Sequence, residues 1–246
     1  MFLDHLGPLI LACAVALGAS TLGGLSGFGT GLILPAFLVP VVGVVNVVPV
    51  MAVAMLLNNG SRVVTFWHDV SWTHAQRMLA LGLPACVAGA YCYTLLSAQW
   101  VALLLGLFLL SSVPLRRLLR RSQLQLSARA ETVAGAGFGF VNGGVTGAGV
   151  LLISILMSVG LAGSALVATD AVVSVIMGLA KVVLFGSLAS LDFDLAVVGL
   201  LVGACTAPGA VIARALLRRI PAGVHAWFME LVIVAGAVSL LWRALD

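Results

Sequence analysis

The sequence predicts an all-α polytopic membrane protein that contains two inverted-topology repeats. Of its 246 residues, 62% are hydrophobic and 8% are charged, whereas about 25% of residues in soluble domains are charged. The apolar residues form continuous runs, unlike the alternating segments of roughly ten residues in a transmembrane β-barrel. A pair of glycines recurs 120 positions along the chain, since Gly27 and Gly29 correspond to Gly147 and Gly149.

The apolar runs define ten predicted helical elements, five in each half. In order, they are 8–22, 31–42, 46–67, 76–97, 99–115, 130–142, 147–160, 163–187, 194–217 and 223–244. A membrane-spanning helix needs about 20 mostly apolar residues. The first two elements of each half are shorter than this, so each half is predicted to contain a short broken or re-entrant helix pair plus three long transmembrane helices.

A basic segment separates the halves and sets the predicted orientation. Residues 116–129, RRLLRRSQLQLSAR, contain five arginines and no acidic residue, which is typical of a cytoplasmic loop. The chain therefore divides into an N-terminal membrane repeat (1–115), a basic cytoplasmic linker (116–129) and a C-terminal membrane repeat (130–246). Each short pair returns to the side from which it started, and the other three elements cross. The second half is then inverted, and the N-terminus is predicted to lie outside.

Glycine-rich turns divide both short pairs. The first is GGLSGFGTG, Gly23–Gly31, and the second is NGGVTGAG, Asn142–Gly149. Irregular backbone at membrane depth is tolerated where protein or a wet cavity surrounds it, and the N–H groups at a helix start attract anions. We therefore predict that the two turns meet near the midplane as an anion site, although close helix packing is an alternative role for such small residues. The predicted substrate-binding residues in these turns are Ser26, Gly27, Gly29, Thr30, Asn142, Thr146, Gly147 and Gly149.

Two cations occur within predicted membrane helices. Arg62 and Lys181 are 119 positions apart, and Asn58 precedes Arg62 by four residues on one helix face. Ionisable groups inside a membrane are costly and often functional, so these three residues are candidate substrate ligands. Because both cations lie near helix ends, snorkelling of the charge to the interface is the competing interpretation.

Asp170 has three interpretations on the sequence alone. It is a coupling carboxylate that carries a proton, a partner that neutralises a cation, or a helix-start carboxylate at the cytoplasmic interface. Asp170, Ser174, Met177 and Lys181 lie on one helix face, since their spacings of 4, 3 and 4 residues are close to whole helical turns.

Other classes of function find no support in the sequence. The basic residues are too few for a nucleic-acid surface and lie at helix ends. The chain has no HExxH motif, no clustered histidines and no paired carboxylates, so we expect no catalytic residues, no bound metal and no cofactor. Glu131, at the start of the sixth element, is expected at the membrane interface.

Several of these features resemble the sulfite exporter TauE/SafE family. The resemblance covers nearly the whole chain and depends on the two glycine turns, the duplication, the basic linker and the polar breaks HDVSW (His68–Trp72) and SLDFD (Ser190–Asp194). Pro35 also follows the pattern of that family after the first turn, but Ile155 stands at the equivalent place in the second half.

The resemblance implies a multi-pass permease of the bacterial inner membrane. Members of the family are associated with export of sulfite, sulfoacetate and other small anions. The resulting hypothesis is a secondary transporter that moves a small oxyanion, such as sulfite or an organosulfonate, by alternating access. A passive anion channel and a non-transporting scaffold subunit remain as alternatives. The expected partners are a small anionic substrate and the lipid bilayer, and the sequence leaves open whether the chain forms a homodimer.

Overall fold

The computed structural model describes residues 6–23, 29–121, 126–216 and 222–245. Within these ranges the chain forms ten α-helices and two short 3₁₀ turns, at Val44–Asn46 and Trp67–Asp69. The helices are α1 (Leu6–Gly23), α2 (Gly29–Val42), α3 (Val47–Phe66), α4 (Trp72–Thr94), α5 (Ala98–Arg121), α6 (Ala128–Gly144), α7 (Gly149–Ser158), α8 (Gly163–Ser187), α9 (Phe193–Leu216) and α10 (Ala222–Leu245). The ten predicted elements are confirmed, with ends that move by a few residues.

The largest difference from the predicted boundaries is at the end of α5. This helix continues to Arg121, and α6 begins at Ala128, so much of the predicted linker is helical. Leucine and arginine both favour helix strongly, and LRRLLRR continues the helix with leucines and arginines interspersed. Hydropathy identified where the fifth apolar run ends, but helix α5 extends past its last apolar residues.

Helices of the two halves pack in reciprocal pairs. Helix α4 packs along α6, and α1 packs along α9. In the duplicated chain α1 corresponds to α6 and α4 corresponds to α9, about 120 residues further on. Replacing each helix by its counterpart therefore converts the α4–α6 pair into the α9–α1 pair. Helices α3 and α8, which are counterparts, pack on each other, and so do α5 and α10. The contact pattern therefore has the symmetry expected of a duplicated chain, and every long helix of one half packs against the other half.

Glycines allow the α4–α6 pair to approach closely. A Cβ atom added to Gly139 would lie 2.0 Å from the carbonyl oxygen of Gly82, and one added to Gly89 would lie 2.1 Å from that of Phe140. A Cβ on Gly143 would lie 2.3 Å from the carbonyl oxygen of Cys86. Small residues with this spacing let helix backbones come into direct contact in membranes. The two helices therefore form one tightly packed unit.

A buried ion cluster joins the same two helices at one end. Glu131, in the first turn of α6, is fully buried. Its carboxylate lies 2.7 Å from His74 Nδ1 and 3.3 Å from Arg77 NH1, both on α4. The Glu131 carboxylate is therefore bound inside the protein by His74 and Arg77 of α4, while its position at the membrane interface stays a prediction.

Long apolar helices and exposed apolar side chains agree with a membrane environment. Among the described residues, Val44–Asp69 and Gly163–Ser187 are long and apolar enough to span a bilayer. Large side chains such as Val64, Val183 and Phe193 are more than two-thirds exposed. In water such side chains would be unfavourable at about 25 cal/mol per Å² of apolar surface, but against lipid they carry no such cost.

A substitution in the α4–α6 interface tests the close approach. Gly139→Ala should destabilise the protein by about 1–3 kcal/mol, because overpacking forces helices apart. Gly137→Ala is the matched control, since it lies on the same helix with open space around the added Cβ. Alanine also favours helix by up to about 1 kcal/mol relative to glycine. Thermal unfolding in detergent should show a lower Tm for the first variant alone, and equal Tm values would contradict the packing.

Candidate functional site

The second glycine turn interrupts the helical structure between α6 and α7. Val145 is extended, with φ −132° and ψ 161°, and Gly147 has a positive φ of 81°. Helix α7 then begins at Gly149, and no side chain caps its start. The turn therefore presents the N-terminal end of a helix, with its free N–H groups, inside the protein.

The first turn is described only in part. Helix α1 ends at Gly23 and α2 begins at Gly29. The predicted ligands Ser26 and Gly27 lie outside the described residues. Thr30 and Gly31, in the first turn of α2, are buried.

The two turns lie against each other through backbone atoms. A Cβ added to Gly31 would lie 3.0 Å from the Cα of Gly147. A Cβ added to Gly147 would lie 2.4 Å from Leu32 Cδ2 and 3.0 Å from the carbonyl oxygen of Gly31. Both positions thus exclude a side chain, and this contact brings the start of α2 beside the turn that precedes α7.

A cavity of about 80 Å³ lies at this junction. Five parts of the chain line it: the two turns, the end of α6, α3 and α8. The lining residues are Thr30, Gly31, Asn142, Val145, Thr146, Gly147, Ala148, Gly149, Met51, Ala52, Met55, Asn59, Asp170, Ser174, Gly178 and Lys181. An apolar cavity of about 150 Å³ holds benzene, so this cavity suits a ligand of about four or five non-hydrogen atoms.

Lys181 supplies a buried positive charge to the cavity. The side chain is 8% exposed, and its Nζ donates a hydrogen bond to the backbone carbonyl of Asn142 at 3.0 Å. In the described part of the chain, Lys181 forms no salt bridge with a carboxylate. The charge is therefore held by a carbonyl dipole and remains available to an anion.

Arg62 is paired with a carboxylate instead. Its NH1 lies 3.8 Å from Asp170 Oδ2, and the two side chains are 14% and 5% exposed. Asp170 lines the cavity, whereas Arg62 is outside its lining. Of the three interpretations of Asp170, this geometry supports the one in which the carboxylate neutralises a cation.

Two buried oxygen atoms in the cavity lining have no hydrogen-bond partner among the residues that the structure describes. They are Thr146 Oγ1 and Asp170 Oδ1. A hydroxyl can donate as well as accept, but an ionised carboxylate oxygen only accepts. Since an unsatisfied buried polar group costs about 1–3 kcal/mol, a water molecule or polar ligand in the cavity that bonds to these atoms is stabilised there.

The cavity extends along α8 between two different chemical groups. Asp170 and Lys181 are eleven residues apart on this helix, which corresponds to about 16 Å of helical rise. Ser174 and Gly178 lie between them on the same lining face. One end of the cavity is therefore bounded by an ammonium group and the other by a carboxylate.

The structure brings together many of the candidate residues predicted from the sequence. The candidates that line the cavity are Thr30, Asn142, Thr146, Gly147, Gly149, Asp170 and Lys181. Gly29 is the first residue of α2. Asn58 is buried outside the lining, where its Nδ2 is 3.9 Å from Met55 Sδ. Asn59 is the amide that faces the cavity instead, because adjacent helical residues point about 100° apart.

Sequence reasoning missed Ser174 and Gly178 as cavity residues. Both follow Asp170 at intervals of four, which places them on one helix face. The predicted face of α8 included Met177. In the structure Met177 is fully buried and accepts a hydrogen bond from Asn142 Nδ2 at 3.7 Å. The spacing of four could have identified Gly178.

Comparison with known proteins gives one match. The family model described as sulfite exporter TauE/SafE matches residues 12–240. No curated protein and no solved structure matches the chain significantly.

The contact between the turns predicts a stability difference between two glycine substitutions. Gly147→Ala introduces both backbone strain and a collision with Leu32, whereas Gly160→Ala introduces strain alone at φ 89° with open space around it. A left-handed conformation costs a non-glycine residue about 1–2 kcal/mol. Gly147→Ala should therefore lower the Tm in detergent clearly more than Gly160→Ala. Equal losses would argue against the contact.

The Arg62–Asp170 pair can be measured with a double-mutant cycle. Arg62→Gln removes the cation that faces the buried Asp170 carboxylate, and breaking a buried pair in this way costs about 3–5 kcal/mol. The double variant with Asp170→Asn should be more stable than Arg62→Gln alone, because the buried carboxylate is then neutral. Chemical or thermal unfolding of the four proteins gives the coupling energy, and additive losses would show that the two groups do not interact.

Proposed function

The chain belongs to the sulfite exporter TauE/SafE family, and from this membership we propose that it exports a small oxyanion across the bacterial inner membrane by alternating access. Membership of this family supports a role as a membrane transporter rather than as an enzyme. One observation carries the rest of the proposal: the cavity combines a buried lysine, two helix starts and a buried hydroxyl in one small space.

Each of these groups favours an anion. The starts of α2 and α7 border the cavity, and a helix N-terminus carries roughly half a positive charge with unpaired N–H groups. Lys181 adds a full positive charge, while the charge of Asp170 is balanced by Arg62. The Thr146 hydroxyl has no partner in the described ranges of the chain and can donate to an oxyanion.

The volume of the cavity favours a sulfite-sized substrate. A space of about 80 Å³ is roughly half the 150 Å³ that accommodates benzene. Sulfite has four non-hydrogen atoms and fills such a space. A longer organosulfonate, the other substrate class in the proposal, requires a wider conformation of the same cavity.

The predicted orientation makes export energetically favourable. With the basic linker in the cytoplasm and the interior negative, an exiting anion gains about 2.3 kcal/mol per charge for each 100 mV. Export of an anion therefore needs no coupled ion. This removes the need for Asp170 to carry a proton and agrees with its pairing to Arg62.

Alternating access in this fold involves units that contain helices from both halves. The α4–α6 pair is held by direct backbone contacts and by the Glu131 cluster, so it moves as one body. Its counterpart is the α1–α9 pair. We propose that relative motion of these two units opens the cavity to one side at a time, around the contact between Gly31 and Gly147.

Removing the lysine charge tests the anion site. Lys181→Gln should reduce kcat/KM for sulfite by about 10–100-fold, which corresponds to the 1.5–3 kcal/mol of a hydrogen bond to a charged group. Arg129→Gln is the control, because it removes an exposed cation outside the cavity. The measurement is uptake of radiolabelled sulfite into proteoliposomes, with sulfate and carboxylates as competitors.

The same assay separates the alternative functions. Flux that does not saturate with sulfite concentration would favour a passive channel, and absence of flux for every anion would favour a scaffold. Unchanged transport in both Lys181→Gln and Arg62→Gln would remove the counter-charge proposal.

A further inference from the structure

An unpaired carboxylate oxygen is an unexpected group in a cavity for anions. Asp170 Oδ1 is buried and has no hydrogen-bond donor among the described residues. The other oxygen of the same carboxylate faces Arg62, at 3.8 Å from NH1. The arginine therefore lies on the Oδ2 side, and Oδ1 is left at the cavity, where it can accept a hydrogen bond.

The charge of Asp170 is not satisfied by the lysine of the cavity. About 16 Å of helical rise separates the two residues on α8, and Lys181 is engaged with the carbonyl of Asn142. The charged and titratable groups that bound the cavity are thus Lys181 at one end, and Asp170 with its partner Arg62 at the other. An anion that moves along the cavity from Lys181 towards Asp170 leaves a hydrogen-bond donor and meets a hydrogen-bond acceptor.

We propose that Asp170 selects anions that carry their own hydrogen-bond donor, such as a hydrogen oxyanion or an anion with a hydroxyl or ammonium group. This inference rests on the proposed function and specifies the substrate class of the same site. A fully deprotonated oxyanion places lone pairs against those of Oδ1, and the two negative groups repel. An anion with an O–H or N–H group donates to Oδ1 and gives this buried oxygen its missing partner.

This selection follows the same principle as other protein sites that recognise a hydroxyl group. A site that is built to hydrogen-bond an O–H group rejects analogues without it strongly, because its own buried polar group is left unpaired. Sulfite at neutral pH exists partly as hydrogen sulfite, so the proposal identifies the protonated monoanion as the transported form. Sulfate, which has no hydroxyl at this pH, would be excluded even though it has a similar size.

Two anions of the same shape and charge provide the test. At mildly acidic pH methylphosphonate is a monoanion with one hydroxyl, and methanesulfonate is a monoanion with none. Both have five non-hydrogen atoms, which suits the volume of the cavity. In proteoliposomes with radiolabelled sulfite, methylphosphonate should compete at least about 10-fold better than methanesulfonate, in line with a hydrogen bond to a charged group.

The variant Asp170→Asn assigns the selection to this residue. An amide offers a donor as well as an acceptor, so the preference for methylphosphonate should fall to within about 3-fold. Arg62→Gln with Asp170→Asn is the second variant, which removes both charges of the pair and serves if the single variant is unstable. It should show the same loss of preference.

The outcomes separate this inference from the proposed function. Equal competition by the two analogues in the wild-type protein, or no competition by methylphosphonate, would overturn the inference while sulfite flux supports the transporter. A preference that persists in both variants would also overturn it, since another group would then recognise the hydroxyl. If the protein shows no sulfite flux, the proposed function fails. Thermal stabilisation of the purified protein by each analogue then tests the inference alone.

Discussion

The contact between Gly31 and Gly147 is the constraint on which the site depends. A Cβ atom on either glycine would lie about 3.0 Å from the backbone of the other, so two chain segments that lie 116 positions apart in sequence meet through their backbones. This contact holds the start of α2 beside the turn before α7, and both helix starts border one cavity. In a low-dielectric surrounding such dipoles act on an anion far more strongly than they would in water.

Reciprocal packing of the two halves supports this contact. Helix α4 packs on α6 and α1 packs on α9, so each turn is attached to a long helix of the other half. The glycines of the α4–α6 interface allow backbones to touch, and lipid offers little hydrophobic drive for helix association, so close packing must supply the stability. The inverted orientation of the halves stays a prediction, whereas their reciprocal contacts are observed.

The acidic side chains buried in the described fold have basic partners. Arg62 lies beside Asp170, and Arg77 and His74 bind the Glu131 carboxylate away from the cavity. Among the described residues that line the cavity, Lys181 is the basic side chain, and it forms no salt bridge with a described carboxylate. The proposed anion site depends on this lysine, and the proposed selection depends on the free oxygen of Asp170.

The sequence by itself determined the membrane class and the ten helices, and it predicted the duplication and the two glycine turns, of which the structure describes the second. These properties are local: apolar runs, glycine spacing and a constant offset can be read along the chain. The tertiary structure decided which groups reach the cavity. It placed Asn59 rather than Asn58 there, paired Arg62 with Asp170, and left Lys181 as the cation of the cavity. These outcomes depend on the rotation of each helix about its axis and on contacts between distant segments, and no pattern along the chain specifies either.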